Sequence, residues 1–530
     1  MAIANNSNSL SYALAVDLGT GGPKVAIVSS RGEIVSHGFS SVEMIFKDGG
    51  GVEQSPEAWW NAIVESSEQA FLNSKVSPSE IEGIGITAQW SGTVPVDASG
   101  EALANAVIWM DSRGSGPIRR AANGSPKILG YGMSKILRWL YFTGGAPGLS
   151  GKDSLSHILY IKEAEADLYQ KTSKFLEPAD YLGARMTGKK AASFDSITLH
   201  WVTDNRKIDN IRYNNALISM VGLDKNKLPD LVPSNSVLGP LREKEAKELG
   251  VPSGIPVVVG TGDVHSAIMG SGAVRDYEAH LYIGTSSWIT CHVPKKKTDI
   301  LRNIATLPAC IPGKYLVGDE HETAGACLTF LRDAVLFPND SLSSFESPSD
   351  LWKKLDQLVE STPAGSNGVL FTPWLHGERT PVEDHTIRAS FNHLSLSSTR
   401  ADMVRSVYEG VAYNSKWLFD AVEGFTKREL RPLRFVGGGA NSPVWAQIHA
   451  DVLGVPVSRV ADPIHVNVRG AGLLALLSLG KVSLDEIADS VPISTTHYPN
   501  KELSSTYLKM YDAFLEFYKR TKSIHRKLGV

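Results

Sequence analysis

Two carboxylates in this 530-residue chain stand where an apolar strand runs into glycines. Asp17 lies in Leu14-Ala15-Val16-Asp17-Leu18-Gly19-Thr20-Gly21-Gly22, and Asp263 closes Val257-Val258-Val259-Gly260-Thr261-Gly262-Asp263. The first run can do phosphate chemistry. Glycines let backbone N–H groups approach an anion, Thr20 adds a hydroxyl donor, Lys24 offsets phosphate charge, and Asp17 is placed to hold a hydrated divalent cation. The same glycines serve a tight hairpin on steric grounds alone, and the residues by themselves leave both readings open. The spacing is neither a lysine-terminated P-loop nor a dinucleotide fingerprint, since a strand rather than a helix follows.

Leu281-Tyr282-Ile283-Gly284-Thr285-Ser286-Ser287-Trp288 repeats the strand, Gly-Thr turn, strand layout, with Tyr282 in the place of Asp17. The repeat points to internal duplication. Farther on, Phe435-Val436-Gly437-Gly438-Gly439-Ala440-Asn441-Ser442-Pro443 leads from a strand into a helix carrying Trp445, Ile448 and Val452. Its glycines either admit a flat ligand or its phosphates close to backbone and helix N-terminus, or form a flexible turn.

The elements that must position these residues alternate between strand and helix, which indicates an α/β fold. Tyr12 to Val42 reads as a three-stranded meander with a turn at Arg31-Gly32. Ser55 caps a helix with Pro56 at its first position and Trp60, Ile63, Val64, Ser67 and Phe71 on one face. A strand ends at Thr87-Ala88-Gln89, and 153–172 reads as one helix from an Asp153 or Ser154 cap. The pattern from Leu182 to His200 assigns no element. About 503–527 reads as a packing helix with Leu508, Tyr511, Phe514, Leu515 and Tyr518 on one face.

Length beyond about 250–300 residues argues for two domains and a cleft between them. With 42% hydrophobic residues, 21% charged and a net charge of -3, nothing demands nucleic acid. Cys291, Cys310 and Cys327 lack zinc-ligand spacing and read as buried thiols in a reducing compartment. Residues 1–11 carry no export signal and no apolar run reaches membrane-spanning length, so a cytoplasmic protein is expected.

In order, Asp17-Leu-Gly-Thr20, Val259-Gly-Thr-Gly-Asp263, Ile283-Gly-Thr-Ser286, Trp374-Leu-His-Gly-Glu-Arg-Thr-Pro381 and Gly437-Gly-Gly-Ala-Asn-Ser-Pro-Val-Trp445 resemble the FGGY carbohydrate kinases from about Tyr12 to Lys481. Leu375–Pro381 and Phe175 to Asn205 are most similar to the xylulokinase-like branch. The resemblance implies a two-domain actin/hexokinase/Hsp70-like (ribonuclease H-like) α/β fold with an interdomain cleft. It divides the chain into 11–268 (sugar side, first phosphate loop, catalytic acid), 269–485 (nucleotide side) and a C-terminal helical extension, 486–530. ATP and Mg2+ are the implied cofactors and a small sugar or polyol the partner, with no nucleic acid and no membrane; a homodimer stays open.

By the same resemblance Asp263 is the general base, and Asp17 and Asp263 serve the metal. Thr20 and Lys24 contact the transferred phosphoryl group, Gly284, Thr285 and Ser286 cradle phosphates from the other side, and Gly438, Gly439, Ala440 and Ser442 lie against adenosine with Gln447 nearby. Gln89, Trp90, Ser91 and Asp263 face the substrate, Trp90 as a surface on which a sugar face stacks. Gly325-Ala326 and Arg332 resemble the helix after the second phosphate strand, and Trp109–Arg113 resembles the family's W-x-D-x-R. Glu378-Arg379 reads as an ion pair near the cleft. Trp90 and Ser91 replace the branch's Met and His, Val264 replaces its Asn, and Asn467–Ala471 departs from its small-residue run. The expected reaction is ATP-dependent phosphorylation of a ketose or polyol, above all a pentulose such as xylulose. Alternatives are a kinase of ribulose, a pentitol or gluconate, a non-catalytic sugar or nucleotide sensor, and a chaperone-like ATPase.

Overall fold

The computed structural model describes residues 10–342 and 346–528, so most of the polar stretch at 1–11 lies outside the described residues. Strands β1 (Tyr12–Gly19) and β2 (Gly22–Ser29) are apolar on both faces, as strands covered from both sides must be. They form an antiparallel hairpin, and β3 (Ile34–Phe39) completes the expected meander beside β2. On the other side of β1, β4 (Ile81–Ala88) and then β6 (Pro256–Val258) run parallel to it, and β5 (Val237–Pro240) closes the edge antiparallel. The order is β5-β6-β4-β1-β2-β3, and a short β7 (Thr261–Gly262) lies beside the end of β4. Helix α1 (Pro56–Leu72) packs on β2 and β3, its Ser55 hydroxyl accepting from the Ala58 N–H at 3.3 Å.

The second half repeats these pairings. Here β8 (Ala279–Ile283) and β9 (Ser287–Val293) make the hairpin, and the chain goes on through the short β10 (Thr298–Asp299), β11 (Ile304–Pro308) and β12 (Tyr315–Gly318), of which β12 lies next to β9 and β10 at the sheet edge. On the other flank β13 (Leu433–Val436) and β14 (Val457–Val460) run parallel to β8, and β15 (Ile493–His497) closes the edge antiparallel. Parallel and antiparallel neighbours thus fall in the same sequence around both hairpins, the structural counterpart of the repeated Gly-Thr turns. Helix α3 (Arg400–Thr426) backs this sheet, and α4 (Pro443–Leu453) follows β13 with Trp445, Ile448 and Val452 buried.

Two helices join the halves. Helix α2 (Asp263–Ser271) follows β7, and α5 (Val466–Ser478) follows β14. They cross through glycines: a Cβ on Gly270 would lie 1.8 Å from the Val466 carbonyl oxygen, and one on Gly470 1.8 Å from that of Ser266. Helix α5 also floors the first sheet, with Gly85 leaving room for the Ala471 carbonyl and Gly472 for Val28. Buried Arg469 ties three backbones together, donating to the carbonyls of Gly32 and Ala461 at 2.7 Å and of Gly270 at 3.4 Å.

Three local expectations change. The helix expected over 153–172 breaks at Glu165 into Ser154–Ala164 and Ala166–Lys171, because the Glu165 backbone leaves helical geometry (φ -129°, ψ 55°). The segment 486–530, expected to be helical, contains β15, whose Ile493, Thr495, Thr496 and His497 pair with the open edge of β14 before helix α6 (Ser504–Leu528) begins. On α6 the buried face runs through Tyr507, Met510, Tyr511 and Phe514, leaving Leu508 exposed. The unassigned stretch from Leu182 holds the helix Pro178–Thr187, the strand Ala191–Ser193 and a 3-10 turn Ser196–His200. All three cysteines are free and buried. Among the described residues, no helix is long and apolar enough to cross a membrane.

Candidate active site

The β1–β2 turn settles which of its glycines are steric. Gly22 has φ 136° and a Cβ there would lie 2.1 Å from the Ser40 carbonyl oxygen, whereas Gly21 is exposed with open space where its Cβ would be. Antiparallel pairing sets Asp17 opposite Lys24, whose Nζ lies 3.7 Å from Asp17 Oδ2. Burial lifts the Asp17 carboxyl above its ordinary range, and Lys24 only partly offsets it. Thr20 is held by a ring of polar side chains: its hydroxyl donates to Gln89 Oε1 (3.0 Å) and accepts from Trp109 Nε1 (2.9 Å). Gln89 Nε2 donates to Gln54 Oε1 (2.8 Å), and Gln54 Nε2 returns to the Thr20 carbonyl (2.8 Å).

Asp263 is the first residue of α2, delivered by β7, whose Thr261 and Gly262 bridge to Thr87 and Ala88. Its Oδ1 accepts from the Val264 N–H at 2.9 Å. Burial, and then the Asp17 carboxylate, push its pKa up to about 7. The two acids from the two strand ends therefore share one electrostatic environment. Trp90 packs against Gly262, donates from Nε1 to the Ser196 carbonyl (2.9 Å), and meets the His265 ring edge-on at 5.1 Å. Ser91 is buried at φ 66°, with its hydroxyl donating to the Lys152 carbonyl at 2.7 Å. Gln89 and Ser91 thus engage protein, while Trp90 stays partly open beside Asp263.

In the second half Gly284, Thr285 and Ser286 form the turn between β8 and β9, with Thr285 exposed. The Gly284 and Thr285 carbonyls accept from the Gly325 and Ala324 N–H groups, both at 2.9 Å, and Ser286 lies beside Glu320. Of the residues expected against adenosine, Gly438 is exposed with no neighbour within 4 Å of a Cβ, and Gly439 lies on Ile283. Ala440 is buried, its carbonyl accepting from Arg459 Nε at 2.8 Å. The Ser442 hydroxyl caps α4 and donates to Asp356 at 2.8 Å. Gln447 is engaged with Asp451, Tyr498 and His497, and Arg332 pairs with Asp333 on the surface.

Glu378 and Arg379 are not partners of one another through their side chains. Arg379 pairs with Glu320 and, at 2.6 Å, with Glu322; buried Glu378 accepts instead from Asn414 Nδ2 at 2.6 Å and from the N–H groups of Glu322 and Arg379. Adjacent residues in extended chain point to opposite sides, which is why adjacency misleads here. Glu320, Glu322 and Lys152, which faces Glu320 electrostatically, are site residues that the sequence reading missed. The Asp319-Glu320-His321-Glu322 run directly after β12 was the available signal.

Among the described residues no group of three or more His, Cys, Asp or Glu side chains could hold a metal ion. The Asp17 and Asp263 pair suits a cation that keeps most of its water and completes its shell with phosphate oxygens, as Mg2+ does, rather than a protein cage.

Two like sheets joined by a helix pair, with glycine turns at matching strand ends, make a two-domain α/β fold of the actin/hexokinase/Hsp70 class. Residues 12–270 match the N-terminal domain and residues 279–479 the C-terminal domain of the FGGY family of carbohydrate kinases. The chain belongs to that family and is a sugar phosphotransferase. It is 28% identical to a xylulose kinase of Staphylococcus epidermidis over 96% of this chain and 97% of that protein. To a gluconokinase of Bacillus subtilis it is 24% identical over 95% of each. The fold matches the crystal structure of gluconate kinase from Lactobacillus acidophilus with a TM-score of 0.82 at 22% identity, covering 98% of this chain and 100% of that one.

Proposed function

We propose that the protein transfers the γ-phosphoryl group of ATP to a hydroxyl of a ketose or polyol, most of all a pentulose such as xylulose. The observation that carries this reading is the pairing of Asp17 and Asp263 at two strand ends, with Asp263 lifted to about 7. A carboxylate near that value is matched to accepting a proton at neutral pH. Asp263 takes the proton of the attacking hydroxyl as the new O–P bond forms and the bond to the ADP oxygen breaks. Thr20 and Lys24 hold the transferring group from the first half, and the Gly284–Ser286 turn from the second. Gly438 and Gly439 take the adenosine, with Ala440 and Ser442 shaping that corner from behind. Mg2+, held through water by Asp17 and near Asp263, would offset the phosphate charge. The halves divide at 268/269 in this reading, a cut inside α2. The relatives' names, xylulose kinase and gluconokinase, support a five- or six-carbon acceptor.

The test is ADP release with MgATP on D-xylulose, D-ribulose, L-xylulose, xylitol, D-gluconate and glycerol. Trp90 beside Asp263 offers an apolar surface to a sugar longer than glycerol. A pentulose should exceed glycerol in kcat/KM by up to about 10⁴-fold, the discrimination available to a site built around particular hydroxyls. Glycerol as the best acceptor overturns the assignment, and D-gluconate as the best moves it to the aldonate kinases.

A further inference from the structure

The second phosphate turn carries an aromatic residue where the first carries an acid. Tyr282-Ile283-Gly284-Thr285 superposes in pattern on Asp17-Leu18-Gly19-Thr20, each at the end of the central strand of its sheet. The Tyr282 ring stacks on Trp288 of the partner strand, centroids 4.0 Å apart and 2° from coplanar, and Trp288 Nε1 donates to His280 Nε2 at 3.0 Å. The ring also packs against the apolar cluster that holds Val258 of β6 and Ala267 of α2. Gly284 makes way for it: a Cβ there would lie 2.7 Å from Tyr282 Cε1 and 3.2 Å from its hydroxyl oxygen. The phenol is therefore rigidly held and its oxygen lies beside the phosphate turn. Among the described residues that hydroxyl makes no hydrogen bond to protein, and it is not sealed off from solvent.

We propose that the Tyr282 hydroxyl is a catalytic hydrogen-bond donor to the phosphoryl group in flight between ATP and sugar. The assignment rests on the reaction proposed above. The stack on Trp288 fixes the donor before the reaction, so no reorganisation is required when charge spreads over the equatorial oxygens. Burial, together with Asp263 and Asp17, raises the phenol further above its ordinary value, so it remains a neutral donor. A second acid at this position would repel the phosphates; a phenol does not.

Tyr282→Phe keeps the stacked ring and deletes only the donor. The variant should melt with the parent, bind MgADP equally and leave the sugar KM unchanged. Its kcat should fall by about 10–100-fold, the usual size for one such donor to a charged group. Calorimetric titration with MgADP, aluminium fluoride and D-xylulose, which mimics the planar phosphoryl group, should show a similar loss of affinity. Parental kcat and parental fluoroaluminate binding, or a change confined to KM or to melting, overturns the role. If those parental values accompany an inactive Asp263→Asn, only Tyr282 falls. An Asp263→Asn variant that turns over normally removes the proposed reaction and this assignment with it.

Discussion

Asp263 has its carboxylate held by one adjacent N–H and crowded by Asp17, so little besides its charge is altered when an amide replaces it. Asp263→Asn should retain fold and MgADP affinity and lose kcat by about 10²–10⁴-fold, the range of a general base. Steady-state kinetics check this, and activity within tenfold of the parent would remove the role. The placement of Asp17, Thr20 and Asp263 at strand ends was legible in sequence because glycines at a strand end are a local signal. The duties of Ala440, Ser442, Gln89 and Ser91 were not. Each is set by a partner far along the chain, Arg459, Asp356, Gln54 and Lys152, and such hydrogen bonds leave no trace in spacing.

The α2–α5 crossing is where element geometry can be tested. Alanine normally favours a helix interior by about 1 kcal/mol over glycine. At Gly470 a Cβ meets backbone at 1.8 Å, so overpacking should win and Gly470→Ala should lose about 1–3 kcal/mol by urea denaturation. Gly424 on α3 has nothing within 4 Å, and Gly424→Ala should gain up to about 1 kcal/mol. A stabilised Gly470→Ala would contradict the close crossing. Hairpins, the Ser55 cap and the α4 corner were readable because apolar runs and turn residues specify them locally. The break at Glu165 and the pairing of β15 were not, since the first interrupts an otherwise helical pattern and the second depends on the free edge of β14.

The whole molecule buries titratable groups of both kinds, and they set opposite limits on its stability. Burial lowers His157 and His449 to about 4 and His200, His280, His292 and His321 to about 3. Between those values and 6.5 the unfolded chain binds more protons, so stability rises with pH. Burial raises Glu177 and Glu378 to about 8, so from their ordinary 4.5 upward the native state holds the extra protons and their contribution is lost as pH climbs to 8. Each fully buried group contributes at most about 1.4 kcal/mol per pH unit. Above 6.5 these histidines are neutral in both states while Glu177 and Glu378 still hold their extra protons, so stability should fall from pH 6.5 to 8, and urea midpoints at those two values check it; a midpoint rising over that interval contradicts the assignment. The helix that floors the first sheet carries a different consequence. Val28 and Gly85 await Gly472 and Ala471, nearly four hundred residues or more away, so that face finds its native cover only once α5 has left the ribosome. At about 5–20 residues per second, the roughly 200 residues after α2 take some 10–40 s to synthesise, during which the nascent first half holds an open apolar sheet. Birth order thus leaves the N-terminal half without its native cover until the last third of the chain, its final folding partner, has been made.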